Sequence, residues 1–155
     1  MFKPYEVGDW IELEWEIGQV DDIDILLTRL ITRDKKVVII PNGQAADEKI
    51  INFSKKWPMM VASEVGVSYD TDIKQAKKVL EEVMKKNTHI LNNPEPSVQV
   101  TSLADSAVVF RLFGAVEAKD APLARFSLLE EAKIALDQAG IEIPFPQRVV
   151  HMKQA

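Results

Sequence analysis

From residue 10 the chain alternates. Ile11, Leu13 and Trp15 fall on one side of an extended backbone and Glu12, Glu14 and Glu16 on the other. This period of two predicts a strand with one buried face. Gly18 reads as an interruption, after which residues 19–32 alternate loosely through Val20, Ile23, Ile25, Leu27 and Ile31. The polar turn Arg33-Asp34-Lys35-Lys36 precedes the apolar run Val37-Val38-Ile39-Ile40, and Pro41-Asn42-Gly43 has the residue types that end a strand in a turn. Ile50-Ile51-Asn52-Phe53 is a last short run. No helical period occurs in residues 1–55, so this stretch is expected to hold strands only and to form a small barrel or half-barrel.

The pattern then changes. Residues 59–67 predict another strand, and Asp70-Thr71-Asp72 opens a helix over 70–87. There Ile73, Ala76, Leu80, Val83 and Met84 form an apolar stripe, while Lys77, Lys78, Glu81, Lys85 and Lys86 face water. Asn92-Asn93-Pro94-Glu95-Pro96 breaks the chain before strands over 98–103 and 107–117, joined at Ala104-Asp105-Ser106. Asp120 and Pro122 mark the start of a second helix, over 121–139, and Gly140 its stop. Leu129, Ala132, Leu136 and Ala139 repeat along it at helical spacing. With Ile141-Glu142-Ile143 as a short final strand, the order is that of a ferredoxin-like split βαβ unit. Pro144 and Pro146 cannot donate to a ladder. They lead to an alternating tail in which Val149, His151 and Lys153 share one face and Arg148, Val150 and Met152 the other. The fold class is therefore α+β: a β domain over 1–57, an α/β domain over 58–145 and a terminal strand within 146–155.

Composition narrows the function classes. A chain of 155 residues with 46% apolar and 28% charged side chains can bury one core or two small ones. Its 19 basic and 24 acidic residues leave a net charge of −5, and both residues 1–60 and 61–155 are net acidic. That balance argues against a protein held on nucleic acid or anionic lipid by bulk charge. The absence of cysteine excludes disulfides, thiol nucleophiles and thiolate metal sites. No segment approaches the roughly 20 apolar residues of a spanning helix, and the N-terminus has no signal-peptide core. Asn52-Phe53-Ser54 fits a glycosylation sequon, which means little without a secretory signal. The composition suits a soluble, cytosol-compatible protein.

Candidate chemistry is sparse. Asp21, Asp22 and Asp24 could offer oxygen ligands, but no EF-hand glycine follows, and a regular strand would put Asp21 and Asp22 on opposite faces. Asp70 and Asp72 resemble a metal-binding acidic pair, yet they sit where a helix N-terminus calls for carboxylates, and capping is the expectation. His89 and His151 have no partner in any triad or ligand pattern. Trp10, Trp15 and Trp57 lack a basic groove and are expected in a core or interface rather than as a base-stacking platform. No phosphate-binding glycine loop occurs. No cofactor, metal or catalytic residue is expected.

Five ordered segments are more specific. They are Phe2-Lys3-Pro4-Tyr5-Glu6-Val7-Gly8-Asp9-Trp10-Ile11, Val38-Ile39-Ile40-Pro41-Asn42-Gly43, Ile50-Ile51-Asn52-Phe53-Ser54, Gly66-Val67-Ser68-Tyr69-Asp70-Thr71-Asp72, and Ala139-Gly140-Ile141 continuing to Pro144-Phe145-Pro146-Gln147. Together they resemble the cytoplasmic region of the small-conductance mechanosensitive channels, the MscS family, across essentially the whole chain. The resemblance implies an Sm-like β domain, a ferredoxin-like α/β domain, and a terminal strand (Arg148, Val149, Val150, His151, Met152) that joins identical strands in an axial barrel. It implies structural roles for Pro41, Asn42, Gly43, Asn52, Asp70, Asp72, Gly140, Pro144 and Pro146. It also implies a homoheptameric cage on the cytoplasmic side of the membrane, through which ions and small osmolytes pass on hypo-osmotic shock. Three loops depart from the family: only Gly18 remains of the glycine-rich first turn, Asp34-Lys35-Lys36 replaces an Asp-Gly hairpin, and Ala45-Ala46-Asp47-Glu48-Lys49 lacks a usual glycine. The match begins almost at Met1 without the family's membrane helices, so the chain reads as a fragment of a longer channel, with a natural soluble relative as the alternative. Two rival classes are an Sm-like RNA-binding ring and a soluble module that binds a small metabolite.

Overall fold

The structure is a computed structural model that describes residues 4–56 and 58–148. The chain divides into two compact units. One holds the residues up to Met59 together with Glu117–Lys119, and the other holds Met60–Val116 and the residues from Asp120 onward.

The first unit is a five-stranded antiparallel sheet. Its strands are β1 (Trp10–Leu13), β2 (Glu16–Ile23), β3 (Leu27–Thr32), β4 (Val37–Pro41) and β5 (Ile50–Asn52), in the order β4-β3-β2-β1-β5. Ile11, Leu13, Val20, Leu30 and Ile40 point from alternate positions of four strands into one core with Tyr5 and Ala45.

Three details differ from the sequence expectation. Trp15 does not share the Ile11 and Leu13 face. β1 stops at Leu13, which pairs with Glu16, and the two residues between turn with φ of 50° at Glu14 and 76° at Trp15. That is the left-handed pair of a two-residue hairpin whose twist matches the flanking strands. No glycine or asparagine marks it, so it reads as strand, and Trp15 stands 93% exposed at its tip. Gly18 does not interrupt the sheet; it lies inside β2 between Ile11 and Thr32. A Cβ there would meet the Ile31 carbonyl oxygen at 3.0 Å and Leu30 Cβ at 3.1 Å, so the glycine permits a close approach of strands. Nor does the unit hold strands only: α1 (Asn42–Asp47) follows β4 directly. Pro41 at φ −61° needs no amide partner at the helix entry, and six residues are too few to print a helical period.

The second unit builds a three-stranded sheet of β6 (Met59–Val67), β7 (Ser97–Leu103) and β8 (Val108–Val116), ordered β6-β8-β7. α2 (Ile73–Lys86) lies between β6 and β7 in the chain, and α3 (Ala121–Gln138) follows β8 after a single 3-10 turn at Ala118–Asp120. α2 buries Ala76, Leu80, Val83 and Met84, whereas Ile73 at its first turn is half exposed. α3 buries Ala121, Ala124, Leu128, Ala132 and Leu136, a stripe one residue away from the expected Leu129. Leu123, Phe126, Leu129 and Ile134 lie outside it and are exposed. The sheet's inward positions, among them Val61, Val67, Val98, Phe110 and Leu112, complete the core.

The segment Ile141-Glu142-Ile143 is not a strand. Ile141 N–H donates instead to the Leu136 carbonyl (2.9 Å) and Gly140 N–H to that of Asp137 (3.1 Å), with Gly140 at φ +68°. This paired closure of a helix end leaves Ile141 buried against α3, its amide already used. One bond, Ser68 N–H to the Glu142 carbonyl (2.9 Å), is the remaining tie to β6's end.

Candidate functional site

Of the residues singled out by the resemblance, Asn42 and Asn52 bond to the backbone of loops distant in sequence. Asn42 donates through Nδ2 to the carbonyls of Asp24 (2.8 Å) and Ile25 (3.1 Å), and its own amide donates to that of Leu26 (2.8 Å). Its Oδ1 accepts from the buried Thr28 hydroxyl at 2.7 Å, and Thr28 in turn shares a hydrogen bond with the Tyr5 hydroxyl at 3.0 Å. One asparagine at the head of α1 thus fixes the β2–β3 loop and the entering chain. Pro41 immediately before it ends β4, and Gly43 is open to solvent with no atom near its missing Cβ. A cleft of about 900 Å³ lies beside this chain of bonds, lined by Tyr5, Val7, Ile23, Ile25, Asn42 and Ala46. Two of its apolar lining residues, Val7 and Ile25, are more than half exposed, as is the adjacent Leu26.

Asn52 does the same at the other edge. Its Nδ2 donates to the Asp9 carboxylate (2.7 Å) and the Pro4 carbonyl (3.3 Å), while its Oδ1 accepts from Ser54 N–H and Lys55 N–H. The Asn52-Phe53-Ser54 sequon is therefore spent on internal bonding, with the Ser54 hydroxyl accepting from Trp10 N–H at 3.1 Å. Trp10 is half-buried beneath Arg33, whose guanidinium carbon lies 4.6 Å from the ring centroid. Arg33 Nη2 donates to the Ala118 carbonyl at 2.8 Å, and burial lowers its pKa. Trp57 and His151 lie outside the described residues.

The acidic candidates resolve separately. A β-bulge between Val20 and Asp22 breaks the alternation, and both Asp21 (2.7 Å) and Asp22 (3.1 Å) reach Arg29. Their expected placement on opposite faces is thereby corrected. Asp24 accepts from Ile25 N–H next door. In the turn at Asp34, whose carboxyl is held below its ordinary value by hydrogen bonds from Lys36 and Thr32, Lys35 takes φ 65° where an Asp-Gly pair is usual. Asp72 caps α2: its Oδ1 accepts from Lys74 N–H at 2.7 Å and from Gln75 N–H at 3.4 Å. Asp70 is exposed, with no bond to its carboxylate among the described residues, and Asp120 makes no side-chain cap on α3. Asp72→Ala should therefore cost about 1 kcal/mol in urea unfolding, and Asp70→Ala should stay within about 0.5 kcal/mol. Millimolar Mg²⁺ or Ca²⁺ should move neither midpoint; a metal-dependent rise lost in both variants would restore the acidic-pair reading.

His89 lies half-buried past the end of α2, its N–H donating to Asn87 Oδ1 at 3.0 Å. Asn87 itself was not singled out in the sequence, although it is 4% exposed and joins α2 to α3. Pro144, Pro146 and Arg148 lie in irregular chain, tied by Gln147 N–H to the Ser106 hydroxyl at 3.1 Å. Val149, Val150 and Met152, the rest of the expected barrel strand, fall outside the described residues.

Two family models match the chain in order. The β-domain of mechanosensitive ion channels matches residues 1–55, and the C-terminal part of the MscS mechanosensitive ion channels matches residues 61–143. The chain belongs to the MscS family. It is 37% identical to the small-conductance mechanosensitive channel of Edwardsiella ictaluri, over all of this chain and 54% of that protein. It is 35% identical to an uncharacterized MscS family protein of Synechocystis, over 99% of this chain and 52% of the other. The chain thus spans about half the length of the curated relatives it matches. Among solved structures, the closed state of Helicobacter pylori MscS superposes with a TM-score of 0.82 at 27% identity, covering 98% of this chain and 60% of that one. The mixed α/β fold with antiparallel sheets is that of the MscS C-terminal region. Among the described residues no helix is long and apolar enough to cross a membrane.

Proposed function

We propose that this region forms the cytoplasmic cage of a homoheptameric mechanosensitive channel, below a pore built from membrane helices outside this chain. The observation that carries the reading is the ordered match of both family models along nearly the whole chain. The β domain, residues 1–57, is read as Sm-like and seated against the membrane portion through the exposed apolar side chains of Val7, Ile25 and Leu26. The α/β domain, 58–145, is read as ferredoxin-like; its strand order of first, third, second supports this. Residues 146–155 supply the barrel strand. The cage admits ions and small osmolytes released on hypo-osmotic shock and holds the subunits in register.

The chain works without catalysis in this reading. Its motif side chains at Asn42, Asn52 and Asp72 are committed to backbone groups and, for the two asparagines, to Thr28 and Asp9 as well, which shapes loops rather than reacts. Self-association is supported by the outward face of α3, where Leu123 and Phe126 are 56% and 70% exposed. A net charge of −5 per chain weighs against RNA as a partner. The test joins this region to the membrane helices of the Edwardsiella relative, in cells lacking mechanosensitive channels. The expected result is tension-gated current in patches and survival of hypo-osmotic shock. A chimera that reaches the membrane assembled but never conducts would sink the proposal.

A further inference from the structure

The open face of the second sheet carries a cluster that loop pinning does not use. Val98 on β7 and Phe110 and Leu112 on β8 are buried toward the core, so the pleat turns Ser97, Gln99, Arg111 and Phe113 the other way. Gln99 is the direct cross-strand partner of Arg111, and Ser97 that of Phe113. The ladder shifts register between Val100 and Ser102, which leaves Thr101 unpaired beside them. These five side chains line a groove of about 370 Å³. The Arg111 guanidinium carbon lies 5.8 Å from the Phe113 ring centroid, and among the described residues no carboxylate pairs with it.

A planar fork of N–H donors, an amide and two hydroxyls meet there against one aromatic wall. The fork matches a carboxylate bidentately. The neutral groups can complete its remaining lone pairs, and the ring edge gives a carbon stem an apolar contact. One cation suits a singly charged anion better than phosphate, in a chain that is net acidic overall. The volume is near the low end of small-molecule sites, the size of an amino acid rather than a nucleotide. Glu64 is exposed on β6, where Val61, Ser63 and Val67 are buried, so the pleat puts this like charge on the same open face.

We propose that the groove of Ser97, Gln99, Thr101, Arg111 and Phe113 is a binding site for small free carboxylates of amino-acid size. It is a property of a single chain and stands whether or not the chain forms a cage. The experiment titrates sodium acetate and sodium glutamate at constant ionic strength and follows ligand line broadening by NMR. Acetamide and inorganic phosphate serve as comparison probes. Saturable broadening with millimolar dissociation constants is expected for both carboxylates, and none for acetamide. Arg111→Gln should weaken binding by about tenfold or more, the worth of one charge-assisted bond. Glu64→Gln should tighten it by removing a like charge. Both positions are exposed, so circular dichroism should show the fold kept. The proposal is overturned if neither carboxylate saturates, if Arg111→Gln binds as before, or if phosphate binds as well as acetate, which would mark a generic anion surface.

Discussion

If the proposed cage forms through its terminal strand, removing residues 148–155 should convert it into separate chains while each chain keeps its helices. A lone strand of about six residues has too little pairing to persist unpaired. The chain leading to it, with Pro144 and Pro146, lies outside the three-stranded sheet, and the Gln147–Ser106 bond ties it back. If the terminal segment is a strand, its amides and carbonyls need partners from elsewhere, and identical strands closing into a ring supply them with no free edge. Among the described residues, the core of the second unit is complete before this segment. α3 is already closed by the Gly140 and Ile141 amides, and among the described residues Ile141 is the last of the buried apolar set. In the proposed heptamer, seven copies at −5 each would bring −35 formal charges together, so such an assembly robbed of its axial contacts would have a strong electrostatic reason to separate. Light scattering on the truncated chain should show the mass of one subunit, with unchanged far-ultraviolet dichroism. Val150→Pro should act in the same direction, because proline cannot donate to a ladder. A truncated chain with the full assembled mass and an unchanged melting temperature would show that other surfaces, such as the Leu123 and Phe126 face of α3, hold the subunits.

The elements that could be read from the amino-acid order are those whose burial repeats over many residues. β6 lies at Met59–Val67 as its run predicts, and α2 begins at its Asp72 cap. Where reading failed, a backbone need overrode the pattern. Glu14 and Trp15 turn the chain in left-handed conformations that neither residue type announces, and so a hairpin passed for a strand. The bulge at Asp21 moved one carboxylate across the sheet, which no period of two can foresee. α1 is shorter than two turns. At the site level, Asn42 and Asn52 were visible as family positions, but their work was not. Each acts on residues far away in sequence, Asp24 to Thr28 in one case and Pro4 to Asp9 in the other. Asn87 carried no signal at all, because an asparagine after a helix reads as an ordinary stop.

That residue should be the most sensitive polar position in the second unit. Asn87 Nδ2 donates to the Ser127 hydroxyl at 2.8 Å and to Glu131 Oε2 at 3.1 Å, both on α3. Its Oδ1 accepts from His89 N–H, and its backbone amide donates to the Val83 carbonyl at 3.0 Å to end α2. One side chain therefore closes one helix, starts the next loop and holds the two helices together, in a site 4% exposed. Asn87→Ala removes three side-chain bonds at once. It leaves the His89 amide and part of the Glu131 carboxylate without a partner in a place water reaches poorly. Buried donors and acceptors left unpaired cost about 1–3 kcal/mol each, partly offset by relaxation, so a loss of about 3 kcal/mol is expected. For a chain of this size that lowers the melting temperature by roughly 5–15 °C. Asn87→Asp should do at least as much harm near neutral pH, because a carboxylate cannot donate to Glu131 and repels it. Asn92→Ala, at an exposed loop position, should change stability by no more than about 0.5 kcal/mol and serves as the control. If Asn87→Ala melts with the wild type, then the apolar contacts of Ala76, Leu80, Leu128 and Ala132 hold the unit without help from this polar clamp.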